Sequence, residues 1–236
     1  MDTIYDDLRK LCRKRGDLVR TKGDATRRIF SKCIRVAPDG KLEARKKWAN
    51  KAKRDIIQGK EITDPVLDTV IIEAVPFLQC LTAVHKPLLE AELNMRHIAR
   101  TLPTHEWIIS IRGVSELGMA IILGETGPLS RFPNVQKLWK FMSLSVENGE
   151  AQRARKGVNN GYSPQKRSIM HVAGDAMIKS KGPYRAMYLT RKIFEEQKTP
   201  EEKKYILHKR ALRYMEKNFL KDWWNQWTGH SSHSVR

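Results

Sequence analysis

Apolar residues recur at helical spacing along most of the chain. Ile4, Leu8, Leu11 and Leu18 predict a first helix, with Lys and Arg filling the positions between them. Gly23 and Asp24 read as punctuation before a second segment through Ile29, Phe30, Cys33 and Ile34, and Ala37-Pro38-Asp39-Gly40 reads as a turn. Residues 42–57 predict a basic helix whose apolar face is thin (Leu42, Trp48, Ala52, Ile56), suited to a surface or to a polyanion. Thr63-Asp64-Pro65 is a helix start, and an apolar stripe from Val66 through Val70, Val75, Leu81, Leu89 and Leu93 to Ile98 follows it. Pro76 and Pro87 are expected to kink or split that stretch, giving a helical connector or a coiled-coil-like hairpin over 63–103.

Beyond Thr101-Leu102-Pro103-Thr104 the pattern predicts short helices at 105–111, 115–124 and 134–142. A Gly-, Asn- and Arg-rich loop follows at 145–162, then longer helices near 164–181, 183–197 and 200–221. Phe219, Trp223, Trp224 and Trp227 share one helical face, read as core or as an oligomer seam. The expected fold class is all-α. Its segments are a basic helical region 1–62, a connector 63–103, a compact helical domain 104–227 built on a helix-hairpin-helix, and a frayed tail 228–236.

Charge sharpens this picture. The net charge is +19 over 236 residues, and it is unevenly spread. Residues 1–60 hold 19 Lys+Arg against 8 Asp+Glu, residues 61–130 hold 4 against 9, and residues 131–236 hold 22 against 9. Two basic zones flanking a mildly acidic middle are the electrostatic footprint of a polyanion partner, because each neutralised phosphate releases counterions. Cys12, Cys33 and Cys80 are too few and too scattered for a disulfide framework or a Cys-x-x-Cys metal site, which suits a reducing cytoplasm. No unbroken apolar run of about 18–20 residues is evident, nor a secretory signal at the N-terminus, so no membrane partner is expected. The seven histidines do not cluster, and His171 reads as an interhelical residue.

The sharpest local signal is Ile111-Arg112-Gly113-Val114-Ser115-Glu116-Leu117-Gly118, followed by the apolar run Met119–Leu123. It reads as helix, tight glycine turn, helix. A glycine permits positive φ in the turn, and the backbone N–H groups at the start of the second helix suit a phosphate. Arg112, Gly113 and Ser115 are therefore candidate nucleic-acid contacts. The loop 152–167 is a second candidate. Arg153, Arg155, Lys156, Lys166 and Arg167 supply charge there, and Tyr162 supplies a stacking face.

From Trp107 to about Gln197 the chain resembles the C-terminal domain of the DEDD-type bacterial insertion-sequence transposases, which include the pilin-gene-inverting and bridge-RNA-guided recombinases. The likeness is carried by the hairpin 111–123, by Glu125-Thr126-Gly127-Pro128-Leu129-Ser130-Arg131-Phe132-Pro133, and by 138–144. The loop 148–161, Lys166-Arg167, the small-residue stretch 173–176 and Tyr184-Arg185 complete it. The resemblance implies DNA binding in transposition or recombination, in a bacterial, nucleoid-associated setting. It also implies an RNase-H-like domain with four metal-binding carboxylates, and residues 1–100 show no alternation of strands and helices to match. No metal site is assigned and no cofactor is evident; a divalent metal enters only if a partner supplies the carboxylates. The family's nucleophilic serine aligns with Asn148, so incomplete catalytic machinery and loss of strand transfer are expected, with Ser145 as the candidate nucleophile otherwise and Ser163 as a remoter one. The expected partners are DNA, structured RNA or both, with homo-oligomerisation through 63–102 or the Trp face. The alternative to a transposase-like protein is a non-catalytic accessory or regulatory factor of a mobile element.

Overall fold

The computed structural model describes residues 2–147, 149–154, 156–157 and 161–229, without the side chains of Asp2 and Glu147. Asn148, Arg155 and the tail from His230 lie outside the described residues. The helices are α1 (Asp2–Val36), α2 (Leu42–Ile57), α3 (Asp68–Thr101), α4 (His105–Ser110), α5 (Glu116–Thr126), α6 (Val135–Phe141), α7 (Pro164–Lys179), α8 (Pro183–Lys198) and α9 (Lys204–Thr228). The fold is all-α. One two-residue ladder stands out within the expected loop, β1 (Val146–Glu147) antiparallel to β2 (Glu150–Ala151), with Val146 opposite Ala151.

Several boundaries differ from the sequence expectation. Gly23 and Asp24 do not interrupt α1, because Asp24 pairs with Arg27 one turn on, as Asp17 does with Arg20 and Asp6 with Arg9. Such i,i+3 pairs turn would-be capping residues into supports of a continuous helix. Pro76 and Pro87 likewise lie inside an unbroken α3. Each proline removes a backbone hydrogen bond, and apolar burial on both sides (Val70 and Ala74; Val84 and Ala91) carries the helix through. The start expected at Thr63-Asp64-Pro65 is a 3-10 turn, Pro65–Leu67, in which the Asp64 carboxylate accepts the Val66 N–H at 3.1 Å. The stretch Pro65–Thr101 holds an 18-residue window of mean hydropathy 1.6, long and apolar enough to cross a bilayer by length and composition. Gln79, Thr82 and His85 interrupt it, so a search for unbroken runs passes over it. The Pro200-Glu201-Glu202 segment is a turn, and α9 begins only at Lys204.

The chain divides into two compact units. The one formed by Arg13–Leu93 packs Ile29, Cys33, Ala49, Ala52, Ile56, Leu67, Val70 and Ala74 into its own core. Small alanines let α2 lie close with Ala49, Ala52 and Ile56 inward, while Leu42 of the expected face stays exposed with Lys46, Lys47, Lys51 and Arg54. Lys32 pairs with Glu73 at 2.6 Å and Arg15 with Glu92 at 2.8 Å. On α3 the apolar Ile72, Val75, Leu89 and Leu93 stay exposed.

The other unit, Met1–Cys12 with Asn94–Arg236, is organised around α9. Leu207, Ala211, Leu212, Met215, Phe219, Leu220 and Trp223 form its buried stripe at helical spacing. The Trp face is therefore core: Phe219 and Trp223 are fully buried, and Tyr5 meets Trp227 at 6.5 Å between ring centres. The indoles find acceptors, as buried Trp requires. Trp223 Nε1 donates to Thr104 Oγ1 at 2.8 Å, Trp224 Nε1 to the Phe132 carbonyl at 3.2 Å, and Trp139 Nε1 to the Lys217 carbonyl at 2.9 Å. Asn134 and Ser163 cap α6 and α7, each contributing on the order of 1 kcal/mol.

One buried contact in this unit sets a pH response. Tyr188 Oη lies 2.7 Å from His208 Nδ1, and burial, assisted by His171 and Lys192, pulls the imidazole below its ordinary value. The unfolded chain then binds this proton more tightly than the folded one. Stability rises with pH from the depressed value up to about 6.5, and is lost as pH falls through that window. Thermal melts between pH 7.5 and 5.5 are expected to shift downward with acid, and His208→Gln is expected to flatten the dependence.

Candidate nucleic-acid interface

The unit built on α9 contains a cleft of about 1270 Å³. Its walls are the β1–β2 hairpin with Gln152 and Arg153, the start of α7, the C-terminal half of α8 and the first half of α9. Arg153, Arg167, Arg191, Lys198, Lys209, Arg210, Arg213 and Lys217 line it against Glu150, Glu195 and Glu202, with Tyr162, Tyr205 and Tyr214 between them. Lys209, Arg213 and Lys217 follow one another at i, i+4, i+8 on α9, beside the helix's apolar stripe, so folding the core aims this basic row into the cleft.

A buried carboxylate organises the floor. Glu216 is fully buried, and the Arg167 guanidinium spans both its oxygens at 2.9 and 2.8 Å. Burial pushes the Glu216 carboxyl upward and Arg167 pulls it back. Gly174 on α7 makes the room: a Cβ there would stand 2.7 Å from Leu212 Cδ1 and 3.0 Å from Glu216 Oε1. Arg213 lies alongside without a direct ion pair among the described residues. Burial first, and then Arg167, pushes its guanidinium below the ordinary arginine value. Lys217 stands 4.2 Å from the Trp139 ring centre, and burial, with Arg213 adding to it, lowers its ammonium too. Glu216 thus answers Arg167 directly and Arg213 at longer range, and Lys217 adds a further cation beside them, so this end of the cleft carries surplus positive charge in a partly desolvated place, where an anion interacts strongly.

The sequence candidates separate into three groups. Arg153, Tyr162 and Arg167 come together in the cleft. Lys166 does not join them: its Nζ sits 3.3 Å from the Phe141 ring centre, half-buried, and burial lowers its pKa, with Glu125 opposing and Arg131 reinforcing. Lys156 is exposed on the loop and Arg155 lies outside the described residues. Arg112, Gly113 and Ser115 form the α4–α5 turn, which packs on the end of α7 away from the cleft lining. Gly113 has φ +93°, and Ser180 Oγ donates to the Arg112 carbonyl at 2.9 Å. Ser115 Oγ accepts the Gly118 N–H at 3.1 Å, capping α5. The Glu116 carboxylate in that first turn is held below the ordinary range by its hydrogen bonds to Arg100, at 2.8 Å, and to His105. At the helix start read as a phosphate site, the Ser115 hydroxyl thus takes one backbone N–H, and Glu116 places a carboxylate in the first turn.

Ser163, the remoter of the two candidate serines, is tied to Ser143, a residue the sequence did not put forward. Ser143 is buried with φ +59°, and its Oγ accepts the Ser163 N–H at 2.8 Å. Ser163 Oγ in turn accepts the Lys166 N–H at 3.3 Å as the α7 cap. Ser145 Oγ is buried with no hydrogen-bond partner among the described residues, and its carbonyl accepts the Gln152 N–H at 3.4 Å. Among the described residues no group of three or more His, Cys, Asp or Glu side chains is placed to hold a metal ion. The sequence reading missed Arg191, Tyr205, Lys209, Arg213, Tyr214 and Lys217. The i, i+4, i+8 basic row on α9 was the available signal.

Residues 105–189 match the model of the Transposase IS116/IS110/IS902 family. Comparison with curated proteins and with solved structures gives no match. The stretch matching this transposase family runs from α4 into α8 and supplies Arg153, Tyr162 and Arg167 of the cleft. The α9 wall, from Tyr205 to Lys217, lies beyond it.

Proposed function

We propose that the chain is a nucleic-acid-binding protein of transposase type, acting on DNA in transposition or recombination, and that the α9 cleft is its phosphate-binding surface. The observation that carries this reading is the positive surplus over Glu216, contributed jointly by the transposase-matching stretch and by α9. Phosphates neutralised there release counterions, so affinity falls steeply with salt. Fluorescence anisotropy with a labelled duplex is expected to show a log Kd that rises linearly with log salt. Lys209→Gln/Arg213→Gln/Lys217→Gln is expected to weaken binding to duplex and to lower the slope by about 0.9 for every phosphate that is no longer neutralised. A salt-independent Kd, or a triple variant that binds like the parent, removes the cleft from the interface.

A second reading, a non-catalytic accessory factor gripping structured RNA or DNA, is favoured by the serines. The hydroxyls of Ser143 and Ser163 are bound into the backbone, and Ser145 Oγ is enclosed, which hinders attack on a phosphodiester. Incubation of the full chain with supercoiled plasmid and magnesium or manganese is expected to give no covalent protein–DNA adduct. An adduct abolished by Ser145→Ala would make the chain a working recombinase.

A further inference from the structure

The cleft is electrostatically and chemically polar along its length. At one end Arg167 and Arg213 share the buried carboxylate of Glu216, and Lys217 lies beside Arg213. At the other end the two arginines are already answered. Arg191 pairs with Glu195 at 2.5 Å, and Arg210 lies 3.2 Å from Glu202 and 3.9 Å from Glu195. That end carries rings. Tyr214, 41% exposed, has the Arg191 guanidinium 4.6 Å from its centre, and Tyr205, 56% exposed, has Lys209 at 5.2 Å. A half-exposed ring flanked by a cation is a pre-positioned stacking face, and base stacking on such rings is sequence-tolerant because every base has a π-face. Anion site and stacking site therefore follow one another within a single recess.

Size selects among polynucleotides. At about 1270 Å³ the recess somewhat exceeds the roughly 300–1,000 Å³ of small-ligand pockets. A duplex turns its base faces inward and holds its backbones apart across grooves about 12 and 6 Å wide. It can lie over the rim and meet Arg213 and Lys217 from above, but it neither offers a base to Tyr214 or Tyr205 nor enters the recess. A single strand does both, since its bases are free to splay from the backbone.

We propose that the cleft takes a single-stranded polynucleotide segment, with its phosphates on Arg167, Arg213 and Lys217 and an unpaired base on Tyr214 and Tyr205. This rests on the reading above that the cleft grips nucleic acid. The test uses the full chain and fluorescence anisotropy, with a 12-nucleotide single-stranded DNA of mixed sequence, the same sequence as RNA, its DNA duplex, and an abasic version of the single strand. Both single strands are expected to bind at least about tenfold more tightly than the duplex; the DNA and RNA arms identify which source the cleft prefers. Tyr205→Leu/Tyr214→Leu is expected to lose at least about tenfold on the single strands, the factor that about 1.4 kcal/mol of stacking corresponds to. Its duplex affinity should not change, which also reports that it is folded. The abasic strand should bind the parent as weakly as the intact strand binds the variant. Equal or tighter duplex binding, an unaffected tyrosine variant, or an abasic strand bound like the intact one overturns the single-strand assignment. If no probe binds even at low salt, or if Lys209→Gln/Arg213→Gln/Lys217→Gln has no effect on any probe, it is the phosphate-binding reading that fails.

Discussion

Gly113→Val is expected to destabilise the α9-centred unit by about 3–5 kcal/mol, combining backbone strain with overpacking. Two independent features set this cost. The backbone at Gly113 has φ +93°, a conformation that L side chains rarely adopt. A Cβ built there would lie 2.6 Å from both the Ala176 carbonyl oxygen and Met177 Cα, so the obstacle is the backbone of α7 and no rotamer change relieves it. Gly113→Ala meets the same obstacle and should lose most of the same stability. Ser180→Ala, which removes the hydroxyl that donates to the neighbouring Arg112 carbonyl, should lose only about 1 kcal/mol. Urea denaturation of the full chain separates the three variants. A Gly113→Ala variant within about 1 kcal/mol of the parent would mean that the turn does not seat on α7 as described.

That glycine shows what the sequence made legible. A lone Gly between two apolar helical runs called for a turn with positive φ, and the turn is there. Its packing against Ala176 and Met177, more than sixty residues away, carried no local signal. The misread positions fail for a related reason. Gly23 with Asp24 looks like a stop only if Asp24 is free to cap, and Arg27 one turn later keeps it in the helix. The prolines of α3 look like breaks only if local backbone preference outweighs burial on both sides. The capping role of Ser163 was hidden in a different way. A serine before Pro164 is an ordinary helix start, but the same residue also looked like a reserve nucleophile, and only its hydrogen bonds choose between the two.

The cleft was half legible. Arg153, Tyr162 and Arg167 stand in a loop whose composition advertises phosphate binding, and they line it. The opposite wall lies on α9, where the tryptophans drew attention to the apolar face. The basic row beside that face follows from the same helical periodicity: once Leu212 and Leu220 point inward, Lys209, Arg213 and Lys217, one or three positions away, must flank them. The core and the charged surface of this helix are thus two readings of one repeat. This explains why the stretch resembling the transposase family needs α9, which lies outside that resemblance, to complete the basic lining of the cleft.

Glu216 had no legible signal at all, since a glutamate among lysines and arginines on a polar helix reads as a solvated ion pair. Its burial makes it the second large effect expected. Glu216→Ala leaves the Arg167 guanidinium, only 14% exposed, without its partner and beside half-buried Arg213. Breaking a buried pair on one side costs about 3–5 kcal/mol, because the surviving charge cannot be shed and is only thinly hydrated at the cleft floor. Replacing both members with apolar side chains of similar volume, Glu216→Met/Arg167→Met, should recover most of that loss, since neither charge then remains to be desolvated. Chemical denaturation of the two variants gives the comparison, and binding adds a second axis. The double methionine variant removes one phosphate-binding cation while restoring stability, so it should fold like the parent yet bind nucleic acid more weakly. A single variant as stable as the parent would show that Glu216 does not hold Arg167 as a charged partner. A double variant that binds normally would show that Arg167 serves the fold alone and that the phosphate end of the cleft rests on Arg213 and Lys217.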